Sequence, residues 1–510
     1  MYAAISICHI MSYNNLSYCP DFTLISGMGF IIQSTGYIFM NEITSIKQLK
    51  DTLSLQKEYF NKTPYRAYEE RIEDLYALKK LLLDNQELLI QAISDDFGHR
   101  SSDDSRIGDI LTTVSGINYT ISKLKGWMKA KPKHIGILFQ PATGKVLYQP
   151  LGVIGIIAPW NYPVFLSLGP LTAALSAGNN AMIKMSEYTP NTATLLATLL
   201  AKHYPPEKVS IVSGDVEIAS AFSQQAFDHL FFTGSTQVGK LVMKAAAENL
   251  VPVTLELGGK SPAIIDNNIN IKTAVSRFIM GKTLNAGQTC VAPDYILCPE
   301  NKVSELVGAL QQSYTAMFPS LDENEDCTCI VNDQQYSRLV DLVADAKNKG
   351  AKVIPLLKNA DNQQKRIMPL TVLVHVTDEM TVMQNEIFGP LLPIISYKDH
   401  KEAIDYVNTH ARPLALYIYS FDKSFQQKIL LNTHAGGVCI NEAAFHVAND
   451  DLPFGGVGPS GMGQYHGEEG FKTFSHAKSI LTRGRISVAH LLFPPYGKAI
   501  HKLVYKLFIR

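Results

Sequence analysis

One cysteine in the sequence stands where a nucleophile could act. Cys290 ends the polar run NAGQTC and is followed by Val-Ala-Pro. A thiolate attacks carbonyl carbon and forms covalent intermediates. A lone cysteine is more commonly a small buried hydrophobe, but this thiol follows a glycine-bearing loop whose groups could donate hydrogen bonds. Cys290 is therefore a candidate nucleophile.

Two further side chains could assist such a thiol. Glu256 lies between two leucines in VTLELGG, where a carboxylate is costly unless it is paired or protonated. Burial raises the pKa of a carboxyl group, which suits a general base near neutral pH. Asn161 lies in the turn APWNYP, from which its amide could donate to an oxyanion. Taken singly, each residue also has a structural interpretation.

Two strand ends have features of a nucleotide site. The run FFTGSTQVGK places Gly234 and Gly239 between a predicted strand and a predicted helix, where a helix N-terminus can meet a pyrophosphate. It lacks the G-x-G-x-x-G pattern, so a tight turn explains it equally well. In IKMSEYTP, Lys184 and Glu187 follow another strand, and a carboxylate there commonly accepts ribose hydroxyls of NAD. The alternative is a solvated helix start.

These residues need a scaffold of alternating strands and helices. The spacing of leucines predicts helix over residues 45–95, and a second helical stretch covers about 104–130. Strand-like AMIKMSE, KVSIVSG and HLFFTG then alternate with helix-like NTATLLATLLAKHY and QVGKLVMKAAAEN. This alternation indicates a parallel α/β sheet. A second α/β region is expected from about 257 to 436.

The composition is that of a globular protein. The 510 residues are 46% hydrophobic and 18% charged, and this length suggests roughly two to four domains. Lys plus Arg and Asp plus Glu both total 46, so no charge excess points to nucleic acid or to a disordered acidic tail. The seven cysteines are an odd number in a long chain, which favours a reducing cytosol. No metal site is predicted.

The first 40 residues differ from the rest. Residues 1–46 contain no Lys or Arg, so the basic region of a secretory signal is missing. Residues 22–40 are uncharged and long enough to span a bilayer, but their polar and glycine content is unfavourable for a span. Ordinary amphipathic helix begins soon after Met40. We therefore expect residues 1–40 to be a non-native or disordered extension.

Together, the motifs resemble the aldehyde dehydrogenase superfamily. Their order is APWNYP, IKMSE, FFTGST, LELGGKSP, NAGQTC, EIFGP and PFGGVGPSGMG, covering about residue 45 to the C-terminus. The interval of 34 residues from Glu256 to Cys290 also fits. The short interval from Asn161 to Cys290 is similar to the class 3 branch, and DFGHRS, CVAPDYIL and LLFPPYG are similar to the bacterial coniferyl aldehyde dehydrogenases. One departure is Met185, where the family usually has proline.

The resemblance implies a chemical role for each candidate. Cys290 would attack the aldehyde carbonyl to give a thiohemiacetal, whose oxyanion the Asn161 amide and the Cys290 backbone N–H would hold. Hydride would pass to a nicotinamide, and Glu256 would then activate water to hydrolyse the thioester. The implied cofactor is NAD, with NADP as a second choice. Its implied binding residues are Trp160, Lys184, Glu187, Gly234, Ser235, Gly239, Glu386 and Phe388.

The implied substrate is coniferyl aldehyde or a similar aryl aldehyde, with a medium- or long-chain fatty aldehyde as the alternative. Tyr162, Tyr295 and Phe445 are candidate pocket aromatics. Three different functions also have to be weighed: a non-catalytic binding protein of the same fold, an acylating dehydrogenase and a cysteine hydrolase. The full set of Asn161, Glu256 and Cys290 disfavours the first. The retained Glu256 disfavours the second, which needs no hydrolytic base, and the lack of a recognisable histidine partner disfavours the third.

The implied fold is α/β, in three parts. A Rossmann-type cofactor domain would use residues 41–135 and 151–256, and a catalytic domain residues 257–437. A small β bridging element from 136–150 and 470–488 would mediate a homodimer.

The remaining residues, 489–510, form an amphipathic tail. Ile500, Leu503, Val504, Leu507 and Phe508 share one helical face, and lysines lie largely opposite. Such a helix can lie in a membrane interface, or it can pack on the enzyme or across a dimer. We expect a cytoplasmic protein, with peripheral contact at the inner membrane face as an alternative.

Overall fold

The computed structural model describes residues 30–33, 36–39, 42–358 and 360–509. The predicted extension over residues 1–40 lies outside these residues, apart from two short strands. The strands, in chain order, are β1 (Phe30–Gln33), β2 (Gly36–Phe39), β3 (Glu42–Ile43), β4 (Lys131–Lys133), β5 (Thr143–Pro150), β6 (Val153–Ile157), β7 (Asn180–Lys184), β8 (Val209–Val212), β9 (His229–Gly234), β10 (Val253–Leu257), β11 (Pro262–Ile265), β12 (Tyr295–Pro299), β13 (Lys352–Pro355), β14 (Thr371–Val374), β15 (Leu391–Tyr397), β16 (Ala415–Tyr419), β17 (Gly437–Ile440), β18 (Gly461–Met462) and β19 (Ser475–Thr482).

Helices alternate with these strands along most of the chain. The α-helices are Ile46–Lys62, Tyr68–Asp84, Gln86–Phe97, Ser102–Ser105, Thr112–Trp127, Phe165–Ala177, Pro190–Ala201, Val216–Ser223, Thr236–Ala247, Ile271–Thr283, Val303–Met317, Asp333–Asn348, Thr381–Gln384, His400–Thr409, Lys423–Asn432, Gly467–Thr473 and Ala499–Phe508. One π-helical segment, Arg106–Leu111, connects two α-helices. Short 3₁₀ turns occur at Ile137–Phe139, Leu284–Gly287, Glu300–Lys302, Phe445–Ala448 and Ala489–Leu492.

Two seven-stranded sheets organise the molecule. The first has the order β18-β10-β9-β6-β7-β8-β3 and is parallel except for β18. The second has the order β13-β14-β15-β12-β11-β16-β17 and is parallel except for β13. The predicted α/β fold with parallel-rich sheets is thereby confirmed. Most strands of the two sheets are buried, which accounts for their mainly apolar side chains.

A third sheet is small and antiparallel, with the order β19-β5-β4. β5 pairs with β19 over its whole length, from Thr143 opposite Thr482 to Pro150 opposite Ser475. β4 begins at Lys131, five residues before the predicted bridging segment. β5 and β19 lie far apart in the chain. Their pairing places residues 475–482 beside residues 143–150, which precede β6 of the first large sheet.

The predicted helix over residues 45–95 is divided into three. Ser45 caps the first helix by accepting from the Gln48 N–H, and the chain turns at Thr63, before Pro64. A residue that precedes proline is disfavoured in helical geometry, which accounts for this break. The second predicted stretch also forms, but Arg106–Leu111, near its start, is π-helical. Such segments occur often at functional sites.

Candidate active site

An apolar cavity of about 150 Å³ contains two of the predicted catalytic side chains. Glu256 reaches it from β10, where it pairs with Thr233 of β9. Cys290 reaches it from the loop that follows Leu284–Gly287. Other residues of the lining include Ile107, Gly108, Thr112, Tyr162, Phe165, Leu166, Met280, Thr289, Phe445, Val447, Phe454 and Tyr465. A nucleophile and a base therefore share one largely apolar compartment.

The loop that carries Cys290 has an unusual backbone. Asn285 and Ala286 have φ of 51° and 52°, and Gly287 follows with φ of 74°. A left-handed conformation costs a non-glycine residue roughly 1–2 kcal/mol, so the surroundings must hold it. The Asn285 N–H donates to Asp104 Oδ2 at 3.0 Å. The Gln288 side chain donates to the Cys329 carbonyl at 3.1 Å and accepts from the Val331 N–H at 3.0 Å.

Asn161 is buried and bound to this same loop. Its side-chain Nδ2 donates to the Gln288 carbonyl at 3.1 Å. Its own backbone carbonyl accepts from Asn285 Nδ2 at 3.0 Å and from Arg100 Nη1 at 2.6 Å. The Asn161 turn and the Cys290 loop are therefore joined by amide hydrogen bonds in both directions. One N–H of the Asn161 amide remains beyond the bond to Gln288, because a primary amide has two.

Burial favours the neutral forms of the two reactive groups of the cavity. Burial raises the pKa of the Glu256 carboxyl well above its usual range, and neither carboxyl oxygen has a hydrogen-bond partner within the described residues. Burial, followed by the charges of Glu386 and Glu256, raises the pKa of the Cys290 thiol to about 12. Backbone N–H groups of Cys290 and Val291 oppose this rise.

Glu386, in the EIFGP loop, lies close to the same site. Burial and then the charge of Asp294 raise the pKa of its carboxyl to about 8, while Lys260 and Arg338 lower it. The glycine at 258 leaves room for it, because a Cβ there would lie 1.9 Å from Glu386 Oε2. Its Oε1 atom is buried and has no hydrogen-bond partner in the described part of the chain. That atom could accept a hydroxyl of a bound cofactor.

The EIFGP loop is held by a partly buried ion pair. Lys260 Nζ pairs with Asp294 and donates to the carbonyls of Val382 and Asn385 at 2.8 and 3.1 Å. Asp294 Oδ1 accepts from the Ile387 N–H at 2.9 Å. The two charges thus fix the backbone on both sides of Glu386.

Aromatic rings lie beside this loop. Phe388 adopts φ of 48° and packs edge-on against Trp160, with ring centroids 5.2 Å apart. Trp160 also contacts Tyr188, with centroids 6.4 Å apart, and Tyr188 follows Glu187. The predicted cofactor residues Trp160 and Phe388 are therefore in contact.

Lys184 and Glu187 lie at the end of β7, as predicted. The Lys184 side chain is buried, and its Nζ donates to the Met185 carbonyl at 2.7 Å and lies 4.0 Å from Glu187 Oε2. Burial lowers the pKa of Lys184, and Glu187 opposes this. Met185 is buried, and its N–H donates to the Val212 carbonyl at 3.0 Å. Proline could not donate this bond, so the departure at 185 adds a contact between β7 and β8.

Gly234, Ser235 and Gly239 occupy the turn from β9 into the helix Thr236–Ala247. Ser235 caps that helix by accepting from the Val238 N–H at 3.3 Å. Gly239 packs closely, because a Cβ there would lie 2.6 Å from Leu257 Cδ2. The helix N-terminus at a strand end suits a pyrophosphate. With the unpartnered Glu386 oxygen and the Glu187 carboxylate, these residues fit a dinucleotide.

Two of the three predicted pocket aromatics line the cavity. Tyr162 and Phe445 belong to its wall, whereas Tyr295 is buried in the core of the second sheet, 5.8 Å from the Tyr406 ring. The Tyr162 hydroxyl lies 3.0 Å from Thr289 Oγ1, next to Cys290.

Sequence reasoning did not single out Arg100 and Asp109 as site residues. They form a fully buried ion pair behind Asn161. A charged residue separated by nine positions from its partner gives no periodic signal. Arg100 lies in the motif DFGHRS, whose similarity to the bacterial coniferyl aldehyde dehydrogenases assigns no role to this arginine.

Two kinds of feature are missing from the part of the chain that the structure describes. None of its helices is both long and apolar enough to cross a membrane. Within the same residues, no group of three or more His, Cys, Asp or Glu side chains is arranged to hold a metal ion.

Known proteins match this chain over nearly its whole length. The sequence profile of the aldehyde dehydrogenase family matches residues 44–480. A probable coniferyl aldehyde dehydrogenase of Pseudomonas aeruginosa is 52% identical over 465 residues, which are 91% of this chain and 97% of that protein. The resemblance inferred from the motifs is thereby confirmed.

Solved structures agree with this match. The substrate-bound state of Staphylococcus aureus AldH has a TM-score of 0.86 and 36% identity, over 91% of this chain and 99% of that one. An aldehyde dehydrogenase of Mycobacterium tuberculosis, solved in complex with NAD+, has a TM-score of 0.78 and 28% identity, over 89% of this chain and 93% of that one.

Proposed function

Since the chain belongs to the aldehyde dehydrogenase family, we propose that it oxidises an aryl aldehyde to the carboxylic acid with NAD as cofactor. The observation that carries this proposal is the shared cavity of Cys290 and Glu256. A thiol and a carboxyl group in one apolar compartment suit covalent capture of a carbonyl followed by hydrolysis.

The first half of the reaction belongs to Cys290 and Asn161. The Cys290 thiolate, once the thiol proton has passed to the Glu256 carboxylate or to solvent, attacks the aldehyde carbon, forming a C–S bond while the carbonyl oxygen becomes an oxyanion. The free N–H of the Asn161 amide and the Cys290 backbone N–H donate to that oxyanion. A nicotinamide cofactor, when bound, would supply the acceptor for the hydride, and the Cys290 sulfur would then carry a thioester.

The second half belongs to Glu256. In its ionised form this carboxylate removes a proton from water, and the resulting hydroxide attacks the thioester carbonyl. The C–S bond breaks, the acid leaves and the Cys290 sulfur is restored. Because neither Glu256 oxygen is bound to a donor among the described residues, the carboxylate is free to bind that water. The apolar walls keep other water away from the thioester.

The cofactor proposal rests on the strand-end residues. The Glu187 carboxylate can accept two ribose hydroxyls but would repel a 2′-phosphate. Lys184 lies 4.0 Å from it and partly offsets the repulsion. We expect a higher kcat/KM with NAD than with NADP, and a Glu187→Gln variant in which this ratio is smaller. A higher kcat/KM with NADP in the unchanged protein would contradict the proposed role of Glu187.

The substrate proposal rests on the cavity and on the relatives. Its walls are mainly apolar and include Tyr162, Phe165 and Phe445. Aromatic side chains pack well against aromatic ligands, and a few polar groups such as Thr112 and Thr289 could orient a ring substituent. Coniferyl aldehyde carries a substituted aromatic ring, and a relative at 52% identity is named a probable coniferyl aldehyde dehydrogenase.

Two exposed surfaces suit contact with a second copy or with a membrane. We propose that the protein forms a homodimer through residues 136–150 and 470–488, which include the largely exposed strand β19. We also place peripheral membrane contact at the C-terminal helix Ala499–Phe508, since the apolar side chains Leu503 and Leu507 are about half exposed.

A panel of aldehydes tests the proposed activity. NAD reduction is measured with aryl and aliphatic aldehydes, for the unchanged protein and for Cys290→Ala. We expect aryl aldehydes to have the highest kcat/KM, and Cys290→Ala to lose oxidation while still binding NAD. Substantial turnover by Cys290→Ala would overturn the mechanism, and a preference for long-chain aliphatic aldehydes would replace the substrate class.

A further inference from the structure

A fully buried ion pair lies directly behind Asn161. The side chains of Arg100 and Asp109 are both 0% exposed, and Arg100 Nη2 lies 3.1 Å from Asp109 Oδ2. The contact is an ion pair without the alignment of a hydrogen bond. Removing two charges from water is expensive, and their attraction alone often fails to compensate. The other contacts of each residue are therefore informative.

Arg100 holds the residue that donates to the oxyanion. Its Nη1 donates to the Asn161 backbone carbonyl at 2.6 Å. Its guanidinium also lies over the rings of Tyr162 and Phe97, 4.7 and 5.1 Å from their centroids. A planar guanidinium held by two rings and an anion has little freedom to rotate. The position of the Asn161 carbonyl is fixed accordingly.

Asp109 holds the other end of the same turn. Its Oδ1 accepts from the N–H groups of Val164 and Phe165, both at 3.0 Å. These N–H groups open the helix Phe165–Ala177, where a negative charge is favourable. The ion pair is thus hydrogen-bonded to the backbone at residue 161 and at residues 164–165. The amide of Asn161 and the cavity-lining residues Tyr162 and Phe165 all lie within this segment, residues 161–165.

We propose that Arg100 and Asp109 are positioning residues, which fix the direction of the Asn161 amide relative to Cys290. The proposal rests on the proposed function, in which that amide stabilises the oxyanion. Asn285 Nδ2 also binds the Asn161 carbonyl, at 3.0 Å. Loss of Arg100 therefore leaves the turn bound to the Cys290 loop but removes the shorter of the two hydrogen bonds to the Asn161 carbonyl.

A double-mutant cycle tests this inference. Arg100→Met removes the charge and the donor while it keeps most of the volume, and Asn161→Ala removes the amide while it keeps the carbonyl. We expect Arg100→Met to lower kcat for NAD reduction about tenfold to a hundredfold, the scale of a misplaced catalytic group. In the Asn161→Ala background, the same change should alter kcat less than about twofold, because no amide remains to position.

Independent losses that multiply in the double variant would overturn the proposal. Unchanged kcat in Asn161→Ala alone would instead contradict the proposed function, so the two failures are distinguishable. Asp109→Asn is a milder variant that keeps a side-chain oxygen for the two backbone N–H groups. It should keep the fold and lower kcat by less than Arg100→Met does, and if Arg100→Met fails to fold, an unchanged kcat in Asp109→Asn would overturn the proposal.

A second ion pair supplies the matched control. Lys208 pairs with Asp74, and their side chains are only 13% and 11% exposed. Neither residue lines the cavity. Lys208→Met should lower Tm as a lost buried partner does, with kcat unchanged. Equal losses of kcat in Lys208→Met and Arg100→Met would show a general effect of stability and would reject a positioning role.

Discussion

Glu256 is the proposed general base, and a substitution that removes its carboxyl group can test this role. Burial raises the pKa of its carboxyl group, and no donor of the described residues binds its oxygens. We expect Glu256→Gln to slow thioester hydrolysis by roughly a hundredfold or more, the scale of a lost general base. Hydride transfer should survive. Stopped-flow absorbance should therefore show a burst of NADH and then a slow phase.

A steady-state rate of Glu256→Gln equal to that of the unchanged protein would show that another group activates the water. The introduced amide has nearly the same shape as the protonated acid. A loss of the burst itself would therefore point to disrupted packing rather than to lost base catalysis.

Glu386 gives a prediction about stability and pH. Burial raises the pKa of its carboxyl from 4.5 to about 8 in the folded protein. Between these values the folded state binds more protons than the unfolded state, so the free energy of unfolding falls as pH rises. Glu386→Gln removes this dependence. Its Tm relative to the unchanged protein should rise steadily between pH 5 and pH 8.

Glu468 is the matched control for that measurement. Its hydrogen bond with Lys131 lowers the pKa of its carboxyl below 4.5, so the stabilisation it gives is lost only as pH falls below that range. Glu468→Gln should therefore change Tm by a constant amount between pH 5 and pH 8. A constant difference for Glu386→Gln as well would refute its raised pKa.

At the level of elements, the π-helical segment Arg106–Leu111 shapes the cavity. Gly108 lies against Tyr162, and a Cβ there would lie 2.4 Å from Tyr162 Cε1. Gly108→Ala should displace that ring and its contact with Thr289. We expect KM for aryl aldehydes to rise several-fold and stability to fall by about 1–3 kcal/mol, as overpacking costs. Kinetics with an aryl aldehyde and a thermal melt measure both.

Gly126, in the next helix, provides the comparison. Within the described residues, no heavy atom lies within 4 Å of a Cβ built there. Gly126→Ala should leave KM unchanged and stabilise the protein by up to about 1 kcal/mol, from helix propensity. If both substitutions behaved alike, the cavity would not depend on the space at Gly108.

The sequence predicted the helices and strands better than the irregular segments that connect them. Alternating strands and helices were visible because apolar residues repeat at strand and helix spacings, and Ser235 or Lys184 could be placed at strand ends for the same reason. The π-helical turn around Gly108 and the left-handed Asn285 and Ala286 leave no such repeat. They depend on distant partners such as Asp104, which only the folded chain brings near.

The same limit applied to the site. Cys290, Glu256 and Asn161 lie in motifs that differ from their surroundings, so they could be named in advance. Arg100 and Asp109 could not, because a buried ion pair is recognised from contacts and not from composition. Tyr295 illustrates the opposite case, since its aromatic character indicated a pocket but its strand places it in the second core.

For the whole molecule, the C-terminal helix Ala499–Phe508 is a poorly covered element. Leu503, Leu507 and Phe508 are 52%, 55% and 49% exposed, although apolar helix faces usually pack against something. We expect a chain ending at Tyr496 to keep its activity, because none of the removed residues lines the cavity. We also expect it to pellet less with anionic liposomes than the full chain does.

Equal pelleting of the two chains would reject the membrane contact. Sedimentation of both chains would then show whether the tail is covered by a second copy, since loss of the helix would shift the larger species toward a single chain.

The raised pKa of Cys290 has a consequence for how the resting protein survives in a cell. Burial raises this pKa to about 12, so the thiol form predominates over the thiolate at neutral pH. Peroxides and electrophilic drugs react with the thiolate rather than with the thiol. We therefore expect the protein without cofactor to react slowly with peroxides and with electrophilic drugs at neutral pH.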